Sequence, residues 1–361
     1  MNALKQRIAS LIATSGPMSV ADYMASCLFD PEHGYYTTRE PFGAAGDFTT
    51  APEISQMFGE LTAVWLYSAW RAAGRPARPT LAEIGPGRGT LMKDMLRVLQ
   101  RLDPAFVADA SVALIETSPR LRGVQNQTLA ASGVDVAWHE SVQTLPDAPL
   151  FIVGNELFDA IPTRQFVKLG ADWHERVVGI NEADELVFAA GPATFEAALL
   201  PADAAAAPAG SIFEFAPART ATMEAIAKLI AAHGGAGLFF DYGHLSPGLG
   251  DTLQALRRHK YDDVLASPGE ADLTSHVDFA ALATAARRYG LDAHLTTQGE
   301  FLLAMGLLER AGNLGAKADE TAREKIRAEV QRLAGPEAMG TLFKVLAIAP
   351  RGTKIPFPGI S

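Results

Sequence analysis

Residues 80–91 read Thr-Leu-Ala-Glu-Ile-Gly-Pro-Gly-Arg-Gly-Thr-Leu, and this stretch decides the fold. Its first five residues predict a short buried strand. Three alternate glycines follow: Gly85, Gly87 and Gly89. Glycine tolerates positive φ and lets the backbone approach a ligand closely. Apolar residues then recur at helical spacing from Leu91 to Leu99, with Thr90 placed to cap the helix. The stretch predicts a strand, a glycine turn and a helix, a common seat for a nucleotide.

The identity of that nucleotide depends on Glu83 and on the glycine spacing. The dinucleotide fingerprint is G-x-G-x-x-G, whereas here the third glycine comes one residue early, at Gly89. The carboxylate of Glu83, two positions before Gly85, would repel a pyrophosphate but suits a cation or a sugar hydroxyl. S-adenosylmethionine carries an ammonium and a sulfonium and has no phosphate. Glu83 and the three glycines therefore predict a site for S-adenosylmethionine, with an ordinary strand-to-helix turn as the alternative.

Two later strands end in further acidic residues. The strand predicted at 111–115 ends at Glu116, which lies 116 − 89 = 27 positions after Gly89. An acidic side chain at the end of the second strand is where a ribose would place its hydroxyls, although the usual spacing is about 20. The strand predicted at 134–138 is followed by Glu140, which could meet the adenine amino group. We expect Glu116 and Glu140 to complete the cofactor site.

The order of elements predicts an α/β fold with a Rossmann-like sheet. From Thr80 onward strands and helices alternate, as a parallel doubly wound sheet requires. Three segments are expected along the chain. They are a helical N-terminal extension with a cofactor-covering loop at 1–75, the Rossmann-like core at 76–163 and 216–361, and a β-rich insertion at 164–215. Further strands are predicted at 149–153, 237–241 and 341–348, and a helical arm at about 300–335.

Composition excludes several classes of protein. The chain has 361 residues, of which 48% are hydrophobic, enough for a sizeable core. Its formal net charge of −10 argues against binding nucleic acid through phosphate neutralisation. A single cysteine, Cys27, excludes an internal disulfide framework and a Cys-rich zinc site, and it suits a reducing compartment. The sequence shows neither a signal-peptide core nor an apolar run long enough to insert into a membrane, so we expect a cytoplasmic protein.

The candidate chemistry follows the strand predicted at 149–153. Asn155, Glu156 and Asp159 come directly after it, and ligands of open α/β sheets bind beyond the carboxyl ends of the strands. If a methyl acceptor is an arginine, carboxylates can hold its guanidinium bidentately, and Glu156 and Asp159 are the candidates. His276 is a candidate general base of lower rank. A metal site is disfavoured, because His244 and His276 are 276 − 244 = 32 positions apart.

Six segments together resemble the MidA family, whose mitochondrial members are complex I assembly arginine methyltransferases. The glycine segment alone is shared by most class I methyltransferases, whereas all six in this order are specific. They are the residues 42–50, 53–60, 83–91, 154–162, 241–244 and 272–279.

The resemblance implies a class I methyltransferase that uses S-adenosylmethionine. It also implies dimethylation of an arginine on a quinone-side, iron–sulfur-associated subunit of NADH:quinone oxidoreductase. In this family's pattern the three glycines would contact the cofactor, and Glu156 and Asp159 would line the acceptor pocket. The segment 46–56, with Thr50 and Gln56, would close over the cofactor.

Three other functions stay open at this point. The chain could methylate a small molecule or another protein side chain, or it could act as an assembly factor that docks to a subunit without catalysis. A nicotinamide-dependent oxidoreductase is disfavoured by the glycine spacing. A homodimer is also possible, because apolar helices at 300–335 could pair between chains.

Overall fold

The computed structural model describes residues 2–39, 49–257 and 260–359. The chain forms two compact units. The core unit comprises residues 49–157, 221–245 and 277–361, and the insertion unit comprises residues 1–48, 158–220 and 246–276.

The described residues form helices and strands in the following chain order. The helices are α1 (Ala3–Ser15), α2 (Val20–Phe29), α3 (Tyr35–Thr38), α4 (Ala51–Ile54), α5 (Gln56–Ala72), α6 (Thr90–Leu102), α7 (Pro104–Asp109), α8 (Pro119–Leu129), α9 (Pro217–His233), α10 (Phe279–Arg288), α11 (Gln298–Ala304), α12 (Leu307–Gly315), α13 (Glu320–Ala334) and α14 (Met339–Leu342). The strands are β1 (Met18–Ser19), β2 (Thr80–Ile84), β3 (Ser111–Ile115), β4 (Val136–His139), β5 (Leu150–Asn155), β6 (Arg164–Leu169), β7 (Asp172–Ile180), β8 (Leu186–Thr194), β9 (Ile212–Phe215), β10 (Gly235–His244), β11 (Gln254–Arg257), β12 (Lys260–Asp262), β13 (Asp272–Thr274), β14 (Val277–Asp278), β15 (Leu291–Thr297) and β16 (Phe343–Pro350).

The core unit is built on an eight-stranded sheet with the order β15-β16-β10-β5-β2-β3-β4, to which β14 adds at β10. The five strands from β10 to β4 are parallel, as the alternation of strands and helices predicts. One side of the sheet departs from this parallel pattern, because β16 runs antiparallel to both β10 and β15. The central strands β2 and β5 are buried along their whole length, which fits their mostly apolar sequences; Glu83 of β2 is the charged exception.

Helices cover this sheet through one large apolar cluster. Helix α5 lies within the N-terminal extension that the sequence predicts to be helical, and it packs against α6. Within that cluster, Phe58 of α5 meets Phe240 of β10 with ring centroids 4.8 Å apart. The helical arm expected at about 300–335 corresponds to α11, α12 and α13.

Glu60 joins this arm to α5 and α6 through charged hydrogen bonds. Its carboxylate is only 4% exposed and accepts from Arg97 Nη2 at 3.0 Å and from Arg310 Nε at 2.6 Å. Burial by itself raises the pKa of this carboxyl, but the hydrogen bonds from Arg310 and Arg97 outweigh burial and lower it. The ion cluster therefore fixes three helices with one buried side chain.

The insertion unit contains a five-stranded antiparallel sheet with the order β1-β7-β6-β9, and β8 pairs with β7. Strands β6 to β9 lie within residues 164–215, the segment predicted to be a β-rich insertion, and they pair in antiparallel fashion. Met18 of β1 pairs with Val178 of β7, which ties the N-terminal residues to the insertion. The unit boundaries cut across the three segments expected from the sequence, because this long-range pairing leaves no local sequence signal.

We expect Glu60→Ala to lower the free energy of unfolding by about 2–3 kcal/mol, because Arg310 loses its acceptor and Arg97 is left with Asp94 alone of its two carboxylate partners. Since the folded pKa of Glu60 is lowered, its contribution is present above the ordinary glutamate pKa and is lost as the pH falls through the folded pKa. Urea unfolding at pH 7 and at pH 4 measures both effects.

The matched control is Glu320→Ala, which breaks an exposed ion pair with Arg327 on α13. It should cost no more than about 1 kcal/mol. Equal losses for the two variants would contradict the role given to Glu60.

Candidate functional site

The register of the parallel strands brings several polar residues to one edge of the core sheet. Ile84, the last residue of β2, pairs with Ile115 of β3 and with Gly154 of β5. Phe240 of β10 pairs with Asn155, so the next residue, the fully buried Asp241, also reaches this edge. Because all these strands are parallel, their carboxyl ends meet where α/β sheets bind ligands.

The glycine turn leaves β2 at this edge in a left-handed conformation. Gly85, Gly87 and Gly89 have φ values of 67°, 51° and 79°. A Cβ atom on Gly85 would lie 2.9 Å from Leu157 Cδ1, so the close approach also requires glycine. The glycines of this turn therefore contribute a close backbone approach and contribute no side-chain chemistry.

The expectation that Thr90 caps α6 is wrong, because Gly89 occupies the N-cap position without a side-chain cap. Thr90 is instead the first helical residue, and its hydroxyl donates to Glu53 Oε1 at 2.5 Å. Glu53 also lies 3.8 Å from the guanidinium of Arg88. The glycine turn is thereby fixed to α4 by polar contacts on both sides of Gly89.

Glu83 lies beneath this turn near the end of β2 and is 3% exposed. Burial raises the pKa of its carboxyl to about 8, against a weaker lowering by a hydrogen bond from the backbone of Met92. In the part of the chain that the structure describes, its Oε2 atom finds no hydrogen-bond partner. A buried carboxyl oxygen without a donor costs stability, so its presence favours a ligand that supplies a donor or a positive charge.

Glu116 lies at the next strand end, as predicted. Its Oε1 accepts from Ser118 N at 2.7 Å and its Oε2 accepts from Gln125 Nε2 at 3.1 Å. Burial raises the pKa of this carboxyl, although those hydrogen bonds oppose the shift. The carboxylate is therefore oriented by the protein before any ribose binds.

Sequence reasoning missed Gln125, which connects the glycine turn to Glu116. The fully buried Gln125 amide also donates to Gly87 O at 2.8 Å, and its oxygen accepts from Trp138 Nε1 at 2.9 Å. The sequence signal was a polar residue at a buried position of α8, which becomes visible only once the inward face of the helix is known.

Asn155 and Glu156 follow each other at the end of β5. Glu156 has a φ of 51°, a left-handed conformation that is uncommon outside glycine. Its Oε1 accepts from Asn155 Nδ2 at 3.0 Å and from Ala51 N at 3.2 Å. Strained residues of this kind cluster at functional sites when their surroundings hold them in place.

The remaining predicted cofactor residues stand in three different environments. Thr50 precedes Ala51 as the N-cap of α4, next to the backbone N–H that contacts Glu156, whereas Gln56 begins α5 and is exposed. The side chain of Glu140 is 81% exposed and lies 3.9 Å from Arg122. The structure therefore does not bring Gln56 or Glu140 into the buried cluster. Of the segment 46–56 that is predicted to close over the cofactor, residues 46–48 lie outside the described residues.

Asp159 and His276 belong to the insertion unit, where Arg219 connects their backbones. The guanidinium of Arg219 donates to Asp159 O at 3.0 Å and to His276 O at 2.7 Å. Asp159 is 6% exposed, and its Oδ1 accepts from Ala160 N at 2.9 Å. The two predicted acceptor residues are thus held by one buried arginine.

The described residues contain neither a candidate metal site nor a membrane-spanning helix. Across residues 2–39, 49–257 and 260–359, no group of three or more His, Cys, Asp or Glu side chains is arranged to hold a metal ion. Over the same ranges, every helix is too short or too polar to cross a membrane.

Comparison with known proteins agrees with this geometry. Residues 61–297 match the family described as "Putative S-adenosyl-L-methionine-dependent methyltransferase". The chain is 34% identical to "Protein arginine methyltransferase NDUFAF7, mitochondrial" of Xenopus tropicalis, over 97% of this chain and 86% of that protein. The protein of the same name from Homo sapiens is 35% identical, over 94% of this chain and 81% of its own length.

A solved structure from Burkholderia thailandensis, bound to S-adenosyl-homocysteine, superposes with a TM-score of 0.82 at 30% identity. The alignment covers 98% of this chain and 92% of that chain. The sheet, the glycine turn and these matches define a Rossmann-like methyltransferase that depends on S-adenosylmethionine. The chain belongs to the MidA family of these enzymes.

The residues at the sheet edge fit S-adenosylmethionine. The unpaired oxygen of Glu83 can accept from a cation or hydroxyl, the glycines leave room for backbone contact, and the oriented carboxylate of Glu116 can receive two ribose hydroxyls. Bound there, the cofactor supplies an electrophilic methyl group. The protein's task is to align donor and acceptor and to stabilise the shifting charge.

We expect S-adenosylmethionine to bind more tightly as the pH rises toward 8. The pKa of Glu83 is raised to about 8 without ligand, so the carboxyl is largely protonated at lower pH, whereas a bound cation favours the ionised form. Calorimetry between pH 6 and pH 9 measures the affinity and the protons released.

Glu83→Gln should abolish this pH dependence and weaken binding by about tenfold or more, because a neutral amide replaces the charge partner. A variant that binds as tightly as the wild type, with the same pH profile, would remove Glu83 from the cofactor site.

Gly85→Ala is expected to weaken S-adenosylmethionine binding by crowding the turn against Leu157. The matched control is Gly133→Ala, since Gly133 has the same φ of 67° with no atom within 4 Å of a Cβ. Both changes place alanine in a left-handed conformation, which lowers the free energy of unfolding by about 1–2 kcal/mol.

Thermal unfolding and calorimetry of the two variants separate crowding from backbone strain. Gly85→Ala should lose both stability and affinity, and Gly133→Ala only stability. Unchanged affinity in Gly85→Ala would show that the tight approach at Gly85 has no part in binding.

Proposed function

We propose that this methyltransferase dimethylates an arginine on a quinone-side, iron–sulfur-associated subunit of NADH:quinone oxidoreductase and thereby aids assembly of that enzyme. The names of the relatives from Xenopus tropicalis and Homo sapiens supply the arginine chemistry. An arginine side chain is a cation, and this chain carries a formal net charge of −10. Acidic residues at the candidate site favour such an acceptor.

The observation that carries the proposal is the fixed carboxylate of Glu156, a residue whose backbone is strained. Its φ of 51° turns the chain at the end of β5, while Asn155 and Ala51 both donate to its Oε1. A carboxylate fixed in this way can hold a guanidinium in one plane with little loss of side-chain entropy. Orienting one nitrogen toward the methyl group is the principal requirement of an in-line transfer.

A reducing compartment suits this function. Cys27 is a free, buried thiol, and burial raises its pKa to about 12, which keeps it unreactive. We therefore propose that the enzyme works in the cytoplasm, where a newly made subunit can be modified before its arginine is buried by folding or assembly.

Deleting the gene should remove dimethylarginine from one subunit of NADH:quinone oxidoreductase. Mass spectrometry of the purified membrane enzyme, from deleted and complemented strains, measures the loss. Persistence of every methylated arginine in the deleted strain would overturn the proposed substrate.

The role of the carboxylates is tested by complementation with Glu156→Ala and with Asp159→Ala. We expect each to reduce methylation by at least about 10²-fold, because the guanidinium loses a charged partner. S-adenosylmethionine affinity should remain close to the wild type in Asp159→Ala. If both variants restore assembly without restoring methylation, the protein acts by docking rather than by catalysis.

A further inference from the structure

Arg219 is a buried arginine that neither the glycine site nor the proposed grip on the acceptor uses. It lies in the first turn of α9 and is 3% exposed. Its guanidinium donates to Ile161 O at 3.0 Å and to Ser275 Oγ at 2.6 Å, in addition to Asp159 O and His276 O. One side chain thus has four acceptors.

These acceptors belong to two segments that are far apart in sequence. One follows β5 and contains Asp159 and Ile161, and the other follows β13 and contains Ser275 and His276. The two segments also bond directly, since Ser275 N donates to Asp159 O at 3.2 Å. Arg219 therefore holds both predicted acceptor residues, Asp159 and His276, in one arrangement.

Only an arginine can make this set of bonds. Its planar fork offers five N–H donors in fixed directions, whereas lysine offers three from a single nitrogen and has no plane. Burying a guanidinium is costly, so a smaller neutral donor would serve if packing alone were required. The use of arginine at this position indicates that the orientation of the bonded backbone segments has to be fixed.

The segment containing His276 is also held by the β insertion. His276 N donates to Thr252 Oγ1 at 2.9 Å, and the Thr252 hydroxyl donates to Glu214 Oε2 at 2.5 Å. Glu214 of β9 is held in turn by Gln165 of β6, whose Nε2 donates at 2.8 Å. A chain of hydrogen bonds therefore connects the insertion sheet to the backbone of His276, which Arg219 also bonds.

We propose that Arg219 is a positioning residue for the methyl acceptor. By joining Asp159 and Ile161 to Ser275 and His276, it fixes the direction in which the Asp159 and His276 side chains meet the substrate. The proposal rests on the proposed function, in which these residues bind an arginine of the subunit. Cofactor binding is assigned to other residues, namely the glycine turn, Glu83 and Glu116.

The test compares Arg219→Lys with the wild type. The substrate is the purified quinone-side, iron–sulfur-associated subunit from the deleted strain, assayed with labelled S-adenosylmethionine. We expect kcat/KM for the subunit to fall by about 10²-fold, with an increase in its KM. Affinity for S-adenosylmethionine, measured by calorimetry, should stay within about twofold of the wild type, since Arg219 bonds the segments of Asp159 and His276, whereas cofactor binding is assigned to the glycine turn, Glu83 and Glu116.

The matched control is Arg164→Lys in the same unit, where Arg164 Nε and Nη2 bond the two carboxylate oxygens of Glu175 at 2.7 Å each. That pair links β6 to β7 and holds none of the predicted acceptor residues. Its variant should keep the wild-type KM for the subunit, whatever its melting temperature.

Two outcomes for Arg219→Lys would overturn the positioning role. One is wild-type kinetics. The other is a parallel loss of cofactor binding and turnover with an unchanged KM, which is the signature of a smaller folded fraction. Failure of the proposed function looks different, because the wild-type enzyme itself would then leave the subunit unmethylated.

Discussion

The parallel register of β2 with β3 and β5 is the constraint on which the rest of the structure depends. Because Ile84 pairs with both Ile115 and Gly154, three consecutive strand ends fall at the same level. The residues that follow β2, β3 and β5 are Gly85, Glu116 and Glu156, and the register alone brings them to one edge of the sheet. A one-residue slip of β2 would exchange the side chains on its two buried faces and would displace the glycine turn from both carboxylates.

This arrangement places a carboxyl in the most buried layer of the core unit, where it weakens the fold. Glu83 has an oxygen without a partner among the described residues, and its pKa is raised to about 8 by burial. Elsewhere in the core unit a buried acid has been paired, since Glu60 has two arginines. The contrast indicates that Glu83 is retained for its effect on a ligand. A cationic cofactor satisfies it, whereas a pyrophosphate would not.

Local patterns made the central part of the fold predictable. The sequence predicts β2 and β3 from short, mostly apolar runs, and it predicts the turn from Gly85, Gly87 and Gly89. The structure places both strands at the predicted residues. Long-range features were not predictable in this way. The pairing of β1 with β7 and the buried amide of Gln125 depend on which distant elements pack together, and neither leaves a mark within a short window of sequence. Glu140 shows that a local pattern can also mislead. It follows a strand, as a cofactor-binding residue would, but its side chain is exposed.

The two halves of the chemistry are joined most directly by the chain itself. Leu157 ends a segment of the core unit and leaves no space for a side chain at Gly85, and Phe158 begins a segment of the insertion unit. Asp159, whose carbonyl accepts from Arg219, is therefore two residues from the side chain that packs against the glycine turn. Glu156, with its left-handed φ of 51°, directly precedes Leu157, so the strained residue and the side chain that packs against Gly85 are neighbours in the chain. The strain at Glu156 therefore sets the direction in which the chain leaves β5 toward both Leu157 and Asp159.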